Sequence, residues 1–289
     1  MHYEGAIIRP PSEADSILLQ VTIGCSHNKC SFCGIYKDKT FRIRDDYQIE
    51  EDLKYASLHF RNKDKIFLCD GDALIIPFAR LQKLLLNIRK TLPWISRVGT
   101  YANAKAIARK SLDELVQLKE MGLRIIHMGL ESGDDETLRR CGKWGDASMI
   151  IEQGQKVREA GINLFITVLL GLAGPQRSSI HAEKTGIALT SINPNYVGAL
   201  SLIPVENTPL YKQMQRGEFN LMSPLEILKE LRIMLQFTDL RPGYFYANHA
   251  SNYLPLRARL PRDKESALTL IDKALSGKIK LTPEWLRGL

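Results

Sequence analysis

Short apolar runs alternate with longer amphipathic stretches through the first part of the chain. Runs of strand length lie at Ser16–Thr22, Lys65–Cys69, Arg97–Tyr101, Arg124–Met128, Asn163–Leu170 and Tyr196–Leu202. Between them, segments near Gln48–His59, Pro77–Thr91, Ala104–Glu120, Asp146–Ala160 and Ser178–Ser191 carry apolar residues at helical spacing. Repeated strand-then-helix periodicity is the pattern of βα units on a parallel sheet. The near-continuous apolar run from Leu164 to Leu170 suits a sheet covered by helices on one face and packed on the other. Six such units predict a partial (β/α)6 TIM-like barrel, short of the eight units of a complete one. After Leu202 the alternation stops. Ser223-Pro224-Leu225-Glu226 combines a capping serine, proline at the first helical position and glutamate at the third, and predicts a helix over Ile227–Asp239. A loop rich in aromatic and amide residues follows, then a helix over Arg262–Ser276 and a short one starting at Thr282-Pro283-Glu284. The expectation is an α/β protein with a barrel core at residues 1–212 and a C-terminal helical extension at 213–289 that closes the barrel.

Composition narrows the class. With 289 residues, 44% hydrophobic and 25% charged, the chain can bury a sizeable core, which excludes disordered, collagen-like and disulfide-stapled proteins. Met1-His2-Tyr3-Glu4 does not open a basic and apolar leader, and the most apolar run, Gly161 to Gly174, is short for a membrane span. A cytoplasmic protein without a membrane partner is expected. Five cysteines in such a chain point to metal or redox chemistry before disulfides.

Three of the five fall within nine residues, Cys25-Ser-His-Asn-Lys-Cys30-Ser-Phe-Cys33, in a polar stretch that reads as loop. Crowded thiolates repel one another unless a cation neutralises them. Tetrahedral zinc would need a fourth ligand, which His27 could supply. An iron–sulfur cube normally takes four cysteines, so three leave one iron with an open position, the arrangement of a catalytic metal. Cys69 and Cys141 stand alone and read as packing residues.

Each strand run also ends in residues suited to a site, and strand C-terminal ends are where such barrels gather their reactive groups. The second leads into Asp70-Gly71-Asp72, the third into Tyr101-Ala102-Asn103, the fourth into Gly129-Leu130-Glu131-Ser132-Gly133. The fifth ends at Gly171-Leu172-Ala173-Gly174 and the sixth at Ile203-Pro204. A glycine between two acids lets backbone approach a ligand closely. Asp134 to Glu136 fit the first turn of a helix, where the dipole favours acids.

A C-x4-C-x2-C trio directly after a first strand, with Phe32 just before its last cysteine, resembles the radical S-adenosylmethionine (SAM) superfamily. The commonest spacing there is one residue shorter between the first two cysteines. Gly129-Leu-Glu-Ser-Gly133 with the following Asp-Asp-Glu-Thr-Leu-Arg-Arg resembles the fourth-strand motif of Elongator-like and oxygen-independent coproporphyrinogen oxidase-like members. Gly171-Leu-Ala-Gly174 is similar to the fifth-strand motif near adenine. Ile203-Pro204 with Thr208-Pro-Leu-Tyr211 is similar to the sixth-strand motif, with Val205-Glu206-Asn207 in place of its usual glycine. The resemblance covers roughly residues 14 to 212.

It implies that Cys25, Cys30 and Cys33 are catalytic metal ligands of a 4Fe–4S cluster and that SAM chelates the fourth iron. Phe32, Gly71, Asp72, Asn103, Glu131, Ser132, Gly171 and Pro204 would then contribute to cofactor binding. The implied chemistry is reductive cleavage of SAM, giving methionine and a 5′-deoxyadenosyl radical that abstracts hydrogen from an unidentified substrate. With only two further cysteines, far apart, one cluster is expected, with no cobalamin-binding or acetyltransferase part. A one-cluster electron carrier, and a zinc-binding regulatory or RNA-binding protein, are the alternatives.

The formal charge is +8, and residues 241–289 hold nine Lys/Arg against four Asp/Glu. That surplus fits a solvated basic face, or a surface for an acidic electron donor of the flavodoxin or ferredoxin kind, for RNA or for a carboxylate-rich substrate. A small-molecule substrate is favoured over RNA because no RNA-binding motif is present. In the aromatic loop at 244–256, Asn248, His249, Asn252 and Tyr253 are candidate substrate contacts.

Overall fold

The computed structural model describes Met1–Gly288, which fall into two compact units. The first comprises residues 1–28, 35–128 and 156–164, and the second residues 29–34, 129–155 and those from Phe165 onward.

In the first unit, β1 (Ile17–Gln20) runs into the short β2 (Thr22–Ile23), which pairs antiparallel with β3 (Arg42–Ile43). That pair brackets the cysteine loop. Then follow α1 (Asp46–His59), β4 (Lys65–Cys69), α2 (Phe78–Thr91), β5 (Arg97–Ala102), α3 (Ala104–Ala108), α4 (Leu112–Glu120) and the start of β6 (Leu123–Glu131). β1 pairs in parallel with β4, β4 with β5, and β5 with β6. Ile66, Phe67 and Leu68 of β4 are fully buried, as a central strand requires. Helix α2 buries Leu81, Leu84, Leu85 and Ile88, a stripe at spacings of three and four.

The helix expected over Ala104–Glu120 is two helices. Asn103 caps the first, and Ser111 opens the second in a capping box with Glu114, so the backbone restarts at Ser111.

The second unit holds the end of β6, α5 (Asp135–Arg140), α6 (Ala147–Glu159) through Gln155, β7 (Asn163–Leu170) from Phe165, α7 (Ser178–Ile192), β8 (Tyr196–Ser201) and α8 (Pro209–Gln215). It continues through α9 (Pro224–Gln236), β9 (Gly243–Tyr246), β10 (Arg257–Leu260) and α10 (Lys264–Leu275). β7 pairs in parallel with β8 and β8 with β9, whereas β10 is antiparallel to β9. The capping box at Ser223 and Glu226 starts α9, which buries Leu228, Leu231 and Met234. In β7, Ile166, Val168 and Leu170 are fully buried while Phe165, Thr167 and Leu169 are half-buried, so the strand's two faces are packed unequally.

Eight strands share one sheet in the order β1-β4-β5-β6-β7-β8-β9-β10, open at both ends, an α/β arrangement consistent with a partial barrel. The C-terminal stretch expected to be helical adds β9 and β10 to it. Their four-residue alternations, buried Phe245 between Tyr244 and Tyr246 and buried Ala258 between Arg257 and Arg259, are too short to stand out from an aromatic loop. The expected boundary at 212/213 falls inside the second unit. Thr282-Pro283-Glu284 leads into a single 3-10 turn, Glu284–Leu286. No helix among the described residues is long and apolar enough to cross a membrane.

Candidate active site

In the first unit, Cys25 is half-buried beside the turn after β4. A Cβ on Gly71 would lie 2.4 Å from the Tyr36 ring and 3.1 Å from the Cβ of Cys25. Only glycine lets the turn and the cysteine loop approach this closely. The buried Asp70 carboxylate accepts from the Tyr36 hydroxyl (3.2 Å), the Gly24 N–H (3.3 Å) and Gln20 Nε2 (3.2 Å), tying the loop base to the strand ends. Asp72, also buried, accepts from the Ser26 hydroxyl and from Asn103 through its N–H (3.3 Å) and Nδ2 (2.8 Å). Burial pushes the Asp72 carboxyl up to about 6, against the hydrogen bonds from Ser26 and Asn103. Asn103 also caps α3 by accepting from the Ala106 N–H at 2.9 Å. Cys25, Gly71, Asp72 and Asn103 thus lie in one connected patch, together with Ser26 and Tyr36. The sequence reading passed over those two, although Ser26 adjoins Cys25.

In the second unit, Phe32, Cys30 and Cys33 are half-buried on a segment held through its backbone. The Ser31 N–H donates to Cys141 O (2.7 Å), the Leu210 N–H to Ser31 O (3.0 Å) and Asn207 Nδ2 to Gly34 O (2.8 Å). Glu131 ends β6 with φ at +63° and accepts from Lys143 Nζ at 2.9 Å, both side chains about nine-tenths buried. Burial alone would favour a neutral Lys143 amine. The charges of Glu131 and Cys30 outweigh it and raise the lysine above its ordinary value, so the site holds a cation beside a thiol. Lys143, two residues after Cys141, is a member that sequence reasoning missed. Burial pushes the Cys141 thiol up to about 12 and the Cys69 thiol well above its usual range, which suits two packing residues.

Ser132 lies in a buried network. Its hydroxyl is 2.7 Å from His181 Nδ1 and accepts from the Asp134 N–H at 3.0 Å. Asp134 is fully buried, caps α5 at the Thr137 N–H (3.1 Å), and accepts from Arg177 (3.0 and 2.9 Å) and Lys184 (3.1 Å). It therefore does more than complement a helix dipole.

Gly171 (φ +83°) donates its N–H to Glu230 Oε1 at 2.6 Å, and the Ser178 hydroxyl donates to Glu230 Oε2 at 2.5 Å. Burial pushes the Glu230 carboxyl up to about 7, against these hydrogen bonds. The fully buried His181, whose Nε2 is 3.5 Å from Glu230, is pushed down to about 4 by burial. Because the folded chain keeps the Glu230 proton that the unfolded chain loses above its ordinary value, stability falls as pH rises towards 7. His181 acts with the opposite sign at lower pH, so a substitution isolates the glutamate. Glu230→Gln is expected to gain on the wild type by roughly 3 kcal/mol between pH 4.5 and 8 in urea unfolding. Parallel curves for the two proteins would contradict the raised carboxyl.

Gly171, Pro204 and Tyr253 line one cavity of about 150 Å³, with Leu202, Met222, Ile227 and Arg287 among its other walls. Of the remaining candidate substrate contacts, Asn252 is buried and spends its amide on β8, accepting from Ser201 Oγ and donating to Ala199 O, each at 2.8 Å. His249 Nδ1 lies 2.9 Å from Ser251 Oγ. Asn248 is exposed, and turning its amide over lets the oxygen accept from Arg257 at 3.0 Å. Among the described residues no group of three or more His, Cys, Asp or Glu side chains is arranged around a single metal ion.

The Radical SAM superfamily profile matches residues 19–177, more than half of the chain. The chain is 25% identical to the heme chaperone HemW of Bacillus subtilis (strain 168) over 157 residues, covering 54% of this chain and 41% of the chaperone. It is 23% identical over 285 residues to an uncharacterised protein of Methanocaldococcus jannaschii, covering 94% and 80% of the two chains. Among solved structures, coproporphyrinogen III oxidase HemN from Escherichia coli, a radical SAM enzyme, is similar with a TM-score of 0.54 at 18% identity, covering 76% of this chain and 52% of that one. The chain thus spans less than half the length of the heme chaperone and about half that of the oxidase. At such identity the likeness to the oxidase establishes the fold alone. The profile match begins inside β1, takes in the three clustered cysteines and reaches past Gly174; the chain belongs to the Radical SAM superfamily, enzymes that use a 4Fe–4S cluster and S-adenosylmethionine.

Proposed function

We propose that the chain holds a single 4Fe–4S cluster through Cys25, Cys30 and Cys33 and abstracts hydrogen from a small-molecule substrate in the cytoplasm. The electron would come from an external donor of the flavodoxin or ferredoxin kind. The observation that carries the reading is the family match across the cysteine loop, joined to a donor set of three half-buried thiols. The residues present fit the group. Gly71 lets the turn after β4 pack directly against Cys25 and Tyr36, where any side chain would clash, and a lysine ammonium beside Cys30 suits the metal-binding form of a thiol. A cube spreads its cysteines over separate irons, so they need not converge on one point as zinc ligands must.

When bound, the cluster and SAM supply reductive cleavage of the sulfonium C–S bond and, from it, hydrogen abstraction. The chain's own residues bind and orient. Asp72 fixes Ser26 beside Cys25 and Asn103 at the end of β5. Glu131 holds Lys143, and Phe32 flanks Cys33 in the loop. Gly71, Asp72, Asn103, Glu131, Gly171 and Pro204 are assigned to SAM, with Ser132 positioning the loop after β6 from within its buried network.

Anaerobic reconstitution should give about four irons and four sulfides per chain. Reduction with dithionite in the presence of SAM should then release 5′-deoxyadenosine and methionine. A colourless zinc protein without sulfide would return the zinc alternative, and a reducible cluster that leaves SAM intact would return the electron carrier.

A further inference from the structure

The cavity beside Gly171 has apolar walls and one charged corner. Leu202, Met222 and Ile227 supply apolar surface, and the corner is built from Tyr253 and the turn carrying Glu284 and Arg287. The Arg287 side chain is only 5% exposed, although it lies close to the described end of the chain. Its guanidinium stacks on the Tyr253 ring, 3.9 Å from the centroid. Its Nε donates to Ser251 O at 2.7 Å and its Nη1 to the Tyr253 hydroxyl and to Glu284 Oε1, each at 2.5 Å. Nη2 reaches Leu202 O only at 3.4 Å. Four acceptors among the described residues therefore meet five N–H groups, and the weakest contact belongs to the nitrogen next to the apolar wall.

The charge of this pinned cation is met by a carboxylate of a different kind. Glu284 is 71% exposed on a single 3-10 turn; its carboxylate accepts from Arg287 and, at Oε2, from the Tyr253 hydroxyl at 2.7 Å, and its exposure lets water take over both bonds if another acid displaces it. A buried guanidinium and an exposed internal carboxylate thus meet at the end of an apolar cavity. A planar guanidinium presents paired donors that match a carboxylate, and burial makes its selection against a neutral amide strong.

We infer that this cavity binds a small organic acid, with its apolar body against Leu202, Met222 and Ile227 and its carboxylate on Arg287 in place of Glu284. The inference deepens the proposed function by naming a substrate class, and it rests on that reading only for the identity of the cofactor beside Gly171 and Pro204.

Octanoate and octanamide, which share the apolar chain and differ in charge, are the probes, titrated by calorimetry into the anaerobically purified protein. Octanoate should saturate one site, and octanamide should bind at least about tenfold more weakly. Glu284→Gln removes the internal competitor and should tighten octanoate by at least about fivefold, whereas Arg287→Gln should weaken it by at least about tenfold. Leu221→Asp, on the exposed rim of the same cavity, should weaken octanoate by repulsion without disturbing the core. Equal binding of octanoate and octanamide, or unchanged or weaker octanoate binding by Glu284→Gln, overturns the site. SAM cleavage is measured on the same preparations. Octanoate binding that obeys these rules in a protein that never cleaves SAM would remove the proposed function and leave the acid site standing; cleavage without such binding would remove only the site.

Discussion

Cys30→Ala is expected to abolish SAM cleavage and the visible absorption of the reconstituted protein while leaving its far-UV circular dichroism unchanged. The loss follows from ligand number. With three protein thiolates on a cube, removing one leaves a second iron without a protein ligand, and the affinity lost cannot be recovered from two cysteines. The fold should survive because the segment is held by main-chain hydrogen bonds that do not involve the thiol, Ser31 N–H to Cys141 O and Leu210 N–H to Ser31 O. Unfolding of the metal-free proteins should therefore differ by less than about 1 kcal/mol. Cys69→Ala and Cys141→Ala make the opposite pair. Both thiols are buried, so each substitution opens a small void and costs stability, but cleavage should persist. Cleavage retained by Cys30→Ala would refute its assignment as a ligand.

Asp52→Ala should be the most destabilising single change away from the cysteines, about 3–5 kcal/mol by urea unfolding. Arg44 and Asp52 are both fully buried and paired at 2.9 Å, and Arg44 also donates to Gln20 O at 2.7 Å. Among the described residues its Nε and Nη2 have no acceptor, so Asp52 is the one carboxylate that offsets the buried guanidinium. Removing it leaves an unpaired charge with no route to water, against a total stability on the order of 5–15 kcal/mol. Asp134→Ala, which breaks two ion pairs, should cost less, about 2 kcal/mol, because Arg177 and Lys184 are partly exposed and can rehydrate.

The pH dependence tests the same pair. Burial raises the Asp52 carboxyl, but hydrogen bonds from Arg44 and the His2 N–H outweigh it and hold it below its ordinary range. Its contribution is complete above the unfolded value, near 4, and is lost as pH falls through the lower folded value. The gap between wild type and Asp52→Ala should therefore narrow in acid. A gap below about 1 kcal/mol at neutral pH would contradict the account.

Some of the candidate site was legible before any contact was known. The cysteine trio is legible because nine residues of chain cannot carry three thiols far apart. Glu131 was recognised at the tip of its strand, but its partner Lys143 was not, since a pairing across twelve residues and a helix has no periodic signature. Ser132 and Asn252 look like site residues in sequence and are buried in hydrogen-bond networks with His181 and with β8. A polar side chain reads alike whether it meets a ligand or a backbone carbonyl. Arg287, the best-anchored cation of the cavity, was only one of nine basic residues in a charge surplus.

Hydrophobic periodicity, the Ser223 capping box and the family motifs determined the β/α order, the start of α9 and the class of chemistry, because each is carried by residues adjacent in the chain. Only the tertiary structure decided that β9 and β10 extend the sheet, that Asp72 serves Ser26 and Asn103, and that Tyr253 and Arg287 share a cavity with Gly171. Those outcomes depend on which distant groups are buried together. Burial sets the cost of an unpaired charge or hydrogen bond, and local sequence does not state it.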